Sequence, residues 1–238
     1  MMPASSSSEI LVQGGLFVLA LIVLLSLQSL PKRCLSHIRR RSSSSPHSQS
    51  QRHFFAGAQL LARATSAKPS SSSSKSASLL KSAIAESDAA IALDPRDAAP
   101  HILRALALRH LGRPLPALKS LDTALSSPQS KTLNPKERAD ALVKRAELHL
   151  QINRRRRADM ALADLLEASR LRGSGKDSDR DKDGKVECLV GECYEAKGMR
   201  QEAKKAYRRA LEADGSLEAA TEGLRRLMDS SSASASLD

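Results

Sequence analysis

The chain has 238 residues, with 38 Lys and Arg against 26 Asp and Glu, which gives a formal net charge of +12. It contains no Trp, two Tyr and three Phe, so it lacks the aromatic side chains on which nucleic-acid bases stack. Three cysteines are too few for a disulfide framework. We therefore expect no nucleic-acid partner and no disulfide-stapled fold.

The N-terminal region predicts a membrane anchor. Residues 1–9 form a short tail, and residues 10–31 carry no charged side chain. About twenty apolar residues in a helix cross a hydrocarbon core of about 30 Å. Lys32 and Arg33 follow at once, and the first 75 residues hold nine basic residues and one acidic residue. Because positive charge is retained on the cytosolic side, the C-terminal body is expected to face the cytosol.

Two alternatives concern this segment. A cleaved secretory signal is the rival interpretation, but the segment has no basic residues before it and no small-x-small cleavage site before Lys32. The sequence also leaves two membranes as candidates for the anchor. One is the endoplasmic reticulum, and the other is the outer membrane of an organelle such as a mitochondrion or chloroplast. Cys34, just past the predicted span, is a candidate for reversible palmitoylation.

Residues 32–78 are predicted to be a basic, serine-rich tether. From Ser36 to Ser78 there is no acidic residue, and serine runs cannot bury enough apolar surface to fold. Phe54, Phe55, Leu60 and Leu61 interrupt the tether at helical spacing and predict a helix near residues 52–66, either within the tether or as the first helix of the first repeat.

The segment from Val190 to Asp214 predicts two antiparallel helices in close contact. Gly191 and Ala203 would remove side-chain bulk where the backbones meet, and Gly198 would end the first helix in the left-handed conformation. Tyr194 and Tyr207 would fill the space around the contact. These residue types at these spacings resemble the tetratricopeptide repeat, a family of helical solenoids that bind other proteins.

The same skeleton recurs upstream. Ala83 and Ala117 are 34 residues apart, which is the period of the family. Longer loops are expected around Ser126 to Pro135 and around Gly173 to Gly184, and three residues are inserted at Arg154–Arg157. The full set of signature positions is Ala83, Ala90, Ala105, Gly112, Ala117, Ala124, Ala146, Ala161, Ala168, Gly191, Tyr194, Gly198, Ala203, Tyr207 and Ala210.

The predicted architecture is all-α: a tetratricopeptide-like solenoid of three to four helix pairs over residues 79–228. Leu217, Ala220, Leu224 and Leu227 predict a C-terminal capping helix, which a solenoid needs to close its apolar end. Residues 229–238 are expected to be a disordered tail. Ala206 lies outside the signature, so we expect it to tolerate a larger side chain better than Ala203.

The resemblance implies a partner-binding groove lined by the first helix of each pair. Transferred by position, its residues are Ile102, Leu106, Arg109, Val143, Lys144, Glu147, Cys188, Glu192 and Glu195. Some members of the family hold the carboxy-terminal tails of chaperones of the Hsp70 and Hsp90 type in a clamp of Lys, Asn and Arg. Here the matching positions hold Lys185, Leu189, Leu106 and Glu147, so the clamp is largely missing.

No other chemical site emerges from the sequence. The stretch from Asp179 to Val186 matches the first half of a calcium-binding EF-hand loop, but its twelfth position is Val190 instead of Glu. No group of histidines has metal-ligand spacing, and no glycine-rich phosphate loop is present. We predict a membrane-anchored adaptor or scaffold that is not an enzyme and needs no cofactor, metal or small-molecule substrate. The alternative is a co-receptor for chaperone tails at an organelle outer membrane.

Overall fold

This computed structural model describes residues 45–66, 73–173 and 180–235. The described residues from 50 onward belong to one compact unit, and residues 45–49 belong to a separate N-terminal unit. The described ranges contain nine α-helices and a short 3₁₀ helix, Gln129–Thr132. The α-helices are α1 Pro46–Ser66, α2 Ser73–Leu93, α3 Ala98–His110, α4 Pro114–Leu125, α5 Pro135–Asn153, α6 Ala158–Gly173, α7 Arg180–Ala196, α8 Arg200–Ala213 and α9 Glu218–Ala235.

The helix boundaries follow from local sequence. The Asp97 carboxylate caps α3 by accepting from the Ala99 amide at 3.0 Å. The Asn134 side chain accepts from the Glu137 amide at 2.8 Å, while the Glu137 carboxylate accepts from the Asn134 amide at 3.0 Å, so a capping box starts α5.

Two glycines end the first helices of the best-matching repeats. Gly112 has φ +74° and Gly198 has φ +77°, which confirms the predicted left-handed cap at Gly198. The amide after each glycine reaches back to a carbonyl five residues earlier, Arg113 to Leu108 and Met199 to Tyr194, each at 2.9 Å. These bonds satisfy carbonyl groups that the helix end would leave open.

Small residues pack the helices of each pair together and onto the next pair. The signature alanines are at most 1% exposed: Ala83, Ala90, Ala105, Ala117, Ala124, Ala146, Ala161, Ala168, Ala203 and Ala210. Methyl side chains let neighbouring helices approach, while the larger core residues Leu121, Leu165 and Tyr207 fill the space between pairs. The result is a solenoid of α1–α2, α3–α4, α5–α6 and α7–α8, closed by α9.

The first helix pair is longer than the sequence predicted. The helix expected near residues 52–66 begins at Pro46, and α2 begins at Ser73, six residues before the expected domain boundary. A Cβ atom on Gly57 of α1 would lie 3.3 Å from the Ala83 carbonyl oxygen of α2, so the two backbones are close. The Ser50 hydroxyl also donates to the Ala90 carbonyl at 3.0 Å. Residues 50–66 are therefore part of the repeat domain and not of a tether.

The C-terminal elements also differ from the expected bounds. Residues 180–184, expected in a loop, are the first residues of α7, and Gly184 is buried close to Leu217 and Asp214. An EF-hand loop needs a turning, non-helical backbone that brings oxygen ligands from alternate residues around the ion. Residues 180–184 are helical, so this part of the acidic stretch does not form an EF-hand loop. The boundary expected at residue 228 falls inside α9, which continues to Ala235.

Within the described ranges, none of the helices combines the length and apolar character that a membrane crossing requires. The predicted span at residues 10–31 and the palmitoylation candidate Cys34 lie outside those ranges.

Candidate functional site: the first-helix face

The first helices α3, α5 and α7 present a row of partly exposed side chains, which we call the first-helix face. Its members are Ile102, Leu106 and Arg109 on α3, Lys144 and Glu147 on α5, and Glu192 and Glu195 on α7. Val143 and Cys188 were assigned to the groove by position, but only 7% and 5% of their surfaces are exposed. Both lie in hydrophobic clusters, so the structure removes them from the face.

The charges on this face are paired between neighbouring repeats. Arg109 of α3 donates to the Glu147 carboxylate of α5, and Lys144 lies 3.2 Å from the same carboxylate. Arg154, just after α5, donates in the same way to Glu192 of α7. The two glutamates occupy equivalent positions, each one residue after a signature position, Ala146 or Gly191. The two arginines do not, so the two interfaces place a similar ion pair from different positions.

These pairs change what the face can bind. Glu147 and Glu192 are each engaged by an arginine, and their side chains are only 21% exposed. Ile102 packs against the cluster formed by α3, α4 and α5. The surface left for a ligand is therefore apolar around Ile102 and Leu106 and carries the positive charge of Lys144 beside it.

At the C-terminal end, Tyr207 is fully buried between two glycines. A Cβ atom on Gly191 of α7 would lie 2.6 Å from the ring atom Cε1, and a Cβ atom on Gly223 of α9 would lie 2.5 Å from Cζ. Gly191 and Ala203 were expected where two backbones meet, but the space at Gly191 is occupied by the Tyr207 ring. Gly223, which sequence reasoning missed, closes the other side.

Glu195 links this tyrosine to the cap. Its carboxylate accepts from the Tyr207 hydroxyl at 2.7 Å and from two nitrogens of Arg226 on α9, at 3.0 and 3.2 Å. Burial raises the pKa of Glu195, but the bonds from Arg226 and Tyr207 outweigh it and hold the pKa below its usual 4.5. Burial and the neighbouring Glu195 carboxylate raise the pKa of Tyr207. Glu195 thus fixes α9 to the last repeat and is not free to bind a ligand.

A second polar cluster lies between α4, α5 and α6. Arg145 forms a bidentate pair with Asp164, with nitrogen–oxygen distances of 2.8 and 2.6 Å, and also contacts Asp122 at 3.2 Å. His149 is buried beside them, and burial lowers its pKa despite the Asp164 charge. Because the guanidinium and carboxylate are already satisfied by each other, this cluster stabilises the fold and offers no obvious reactive group.

The buried cysteines carry no reactive thiolate. Burial raises the pKa of Cys188 to about 11 and that of Cys193 to about 12, so both stay protonated at neutral pH. No group of three or more potential metal ligands occurs within the part of the chain that the structure describes.

The clamp positions taken from the chaperone-binding relatives do not form a clamp. Glu147 is held by Arg109, and Leu106 cannot donate a hydrogen bond from its side chain. Leu189 packs against the hydrophobic cluster of α5, α6 and α7. Lys185 is exposed, and it is the one member of this set of four that carries a positive charge.

The comparisons with known proteins agree with this architecture. Residues 188–216 match the model of the tetratricopeptide repeat. The structure is similar to that of MamA, with a TM-score of 0.57, 14% identity, and coverage of 76% of this chain and 81% of MamA. The MamA RS-1 ArsTM double mutant gives a TM-score of 0.53 at 15% identity, over 79% of this chain and 97% of that one. No curated protein sequence matches the chain.

A third similar structure is TTC0263, a thermophilic tetratricopeptide protein of Thermus thermophilus. It has a TM-score of 0.50 and 19% identity, with coverage of 76% of this chain and 82% of that one. At these identities the likeness concerns the fold. The chain thus carries a tetratricopeptide repeat at residues 188–216, and it folds as an all-α solenoid of the tetratricopeptide type. Solenoids of this type generally act as protein-interaction modules.

Proposed function

We propose that this protein is a membrane-anchored adaptor that binds a protein partner on its first-helix face. The observation that carries the proposal is the partly exposed surface of Ile102, Leu106 and Lys144, which lies on the first helices of two successive repeats. Its inter-repeat Arg–Glu pairs fix the spacing of the helices, so little ordering is needed when a partner binds.

The chemistry of the face favours an extended segment with both apolar and acidic side chains. Ile102 and Leu106 offer an apolar surface, and the Lys144 side chain beside them is 40% exposed. A carboxylate on the partner could pair with Lys144 without displacing the Arg109–Glu147 bond. A chaperone-tail receptor needs several free donors converging on one carboxylate, and here Glu147 and Leu106 occupy donor positions. We therefore prefer a general adaptor to a chaperone co-receptor.

The anchoring part of the proposal rests on sequence. Residues 10–31 are uncharged and the basic residues begin at Lys32, so the repeat domain would face the cytosol. The membrane would be that of the endoplasmic reticulum or the outer membrane of a mitochondrion or chloroplast. Protease added to intact vesicles should then digest the repeat domain, and neutralising the five basic residues of 32–41 should randomise or invert the orientation. Protection of the domain until detergent is added would contradict the proposed topology.

Partner binding can be tested with a photo-crosslinking residue at Leu106 in the full-length protein. Leu166 of α6 is a matched control, because it is an exposed leucine away from the first-helix face. We expect a discrete crosslinked protein from position 106 and none from position 166. Leu106→Asp should then abolish co-purification of that protein, while Leu166→Asp should leave it intact. Equal crosslinking at both positions would argue against a partner on the first-helix face.

A further inference from the structure

The turns between first and second helices lie along one edge of the solenoid, which we call the turn edge. It comprises residues 111–115, 153–160 and 197–202. Two neighbouring turns are joined directly, since the Lys197 ammonium lies 2.5 Å from the Asp159 carboxylate. A cleft of about 510 Å³ between them is lined by Arg154, Arg155 and residues 195–198. Because the helix pairs stack, the turn after α3 falls on the same edge.

The turn edge is strongly basic, whereas the opposite edge is not. Its three segments hold seven basic and two acidic side chains. The described loops of the opposite edge, residues 94–97, 126–134 and 214–217, hold two basic and three acidic side chains. Among the described residues, no acidic side chain pairs with four of the arginines on the turn edge: Arg113, Arg155, Arg156 and Arg200.

Large apolar side chains stand exposed between these arginines. Leu115 is 60% exposed, Met160 55% and Met199 38%, and each lies at the start of a second helix. One such residue would need no explanation, but the same placement recurs at three successive turns. Unpaired arginines alternating with exposed leucine and methionine suit the boundary between lipid head groups and acyl chains.

We propose that the turn edge lies on an anionic bilayer. The four arginines would contact acidic lipid head groups, and Leu115, Met160 and Met199 would enter the boundary beneath them. This inference rests on the proposed membrane attachment, which keeps the domain close to a bilayer. The charges are spread over three turns instead of converging in one pocket, which favours a lipid surface over a single acidic protein segment. Lipid contact at this edge leaves Lys144 and Leu106 available to a partner.

The natural absence of Trp supplies a clean test. Full-length Met160→Trp, reconstituted in nanodiscs containing brominated lipid, reports contact with the bilayer by fluorescence quenching. We expect a blue shift and quenching in discs with about 30% phosphatidylserine, and neither in discs of phosphatidylcholine alone; high salt should reverse the effect. Adding Arg155→Gln and Arg156→Gln should lower the equilibrium constant for contact between the turn edge and the bilayer by about tenfold or more, which is seen as loss of quenching.

Two controls make the result specific. Leu166→Trp, on the same helix but off the edge, should stay unquenched in both kinds of disc. Lys205→Gln with Arg208→Gln removes the same charge from an exposed part of α8 away from the edge, and should leave quenching of Trp at position 160 unchanged.

Three results would overturn the proposal. The first is that Trp at position 160 remains unquenched on anionic discs. The second is equal quenching on neutral discs, which would mean that the anchor merely holds the domain near the bilayer. The third is a response to added polyglutamate but not to lipid, which would assign the edge to an acidic protein. Resistance of the chain to alkaline extraction reports insertion of residues 10–31 separately. Failure of the anchor and failure of the turn edge therefore give different results.

Discussion

Replacing Gly191 by Ala should destabilise the last repeat, although Ala is normally the better helix former. The new Cβ atom would lie 2.6 and 2.7 Å from two atoms of the Tyr207 ring. The ring cannot retreat, because Gly223 faces it at equally short range and Glu195 holds its hydroxyl at 2.7 Å. Overpacking of this kind costs about 1–3 kcal/mol, whereas the gain in helix propensity is about 0.5–1 kcal/mol. We therefore expect a net loss of about 1 kcal/mol, and of at most about 2.5 kcal/mol.

The assay can be local, because the chain has two tyrosines and no tryptophan, and both tyrosines lie in the last repeat. Tyrosine fluorescence of the full-length chain in mild detergent, followed against urea, reports unfolding of that repeat. Gly173→Ala is the matched control, since a Cβ atom there would meet nothing within 4 Å. Its urea midpoint should stay the same or rise.

A double-mutant cycle separates the clash from other effects of the substitution. Unfolding of these variants is followed by circular dichroism, because substituting Tyr207 removes one of the two tyrosine fluorophores. In a Tyr207→Leu background the ring is gone, so Gly191→Ala should no longer lower the midpoint. In a Tyr207→Phe background the ring remains, so the loss should persist. A urea midpoint that Gly191→Ala leaves unchanged or raises in the otherwise unchanged chain would refute the close packing of Gly191 against the Tyr207 ring.

Three further predictions follow from buried groups. Ala203→Leu should cost about 1–3 kcal/mol, and so should Ala206→Leu, because both residues are 0% exposed; a urea midpoint unchanged by either would contradict this. Folding lowers the pKa of Glu195, so the contribution of its carboxylate to the free energy of unfolding is full above about pH 4.5 and is lost as the pH falls through the pKa of the folded state. Glu195→Gln should flatten the dependence of stability on pH in this range. An unchanged dependence would refute the role assigned to Glu195. Asp164→Ala should lower stability by up to about 3 kcal/mol, because Arg145 loses its bidentate partner and keeps only the 3.2 Å contact with Asp122. Adding Arg145→Met should recover much of this loss; equal midpoints for the single and double variants would show that Arg145 and Asp164 are not coupled.

The position of α1 determines where a fragment containing the repeat domain can begin. A fragment that begins at residue 76 would start inside α2, Ser73–Leu93. Such a fragment would remove α1 and leave Ala83 and Ala90, both fully buried, facing water. The full chain is therefore the appropriate material for the assays above.

Sequence determined the periodic part of this protein. Small residues at fixed spacing identify where helices must touch, because only Gly and Ala allow close approach, and those positions are the ones found buried in the fold. Gly112 and Gly198 could likewise be read as helix ends, since positive φ strongly favours glycine. The error at Ala206 shows the limit of this reasoning. A repeat signature marks contacts within a pair, whereas Ala206 packs against the preceding repeats, whose loop lengths differ.

Tertiary structure alone decided the contacts between repeats. Arg154 was assigned to an inserted turn, yet that turn brings it to Glu192 of the next repeat. Arg109 and Glu147 likewise meet only because their two repeats stack. Gly223 gave no signal in the sequence, because its role depends on a ring from another helix. The same holds for the turn edge. Leu115, Met160 and Met199 lie far apart along the chain, and stacking of the helix pairs brings them to one side because each follows a turn of the same kind.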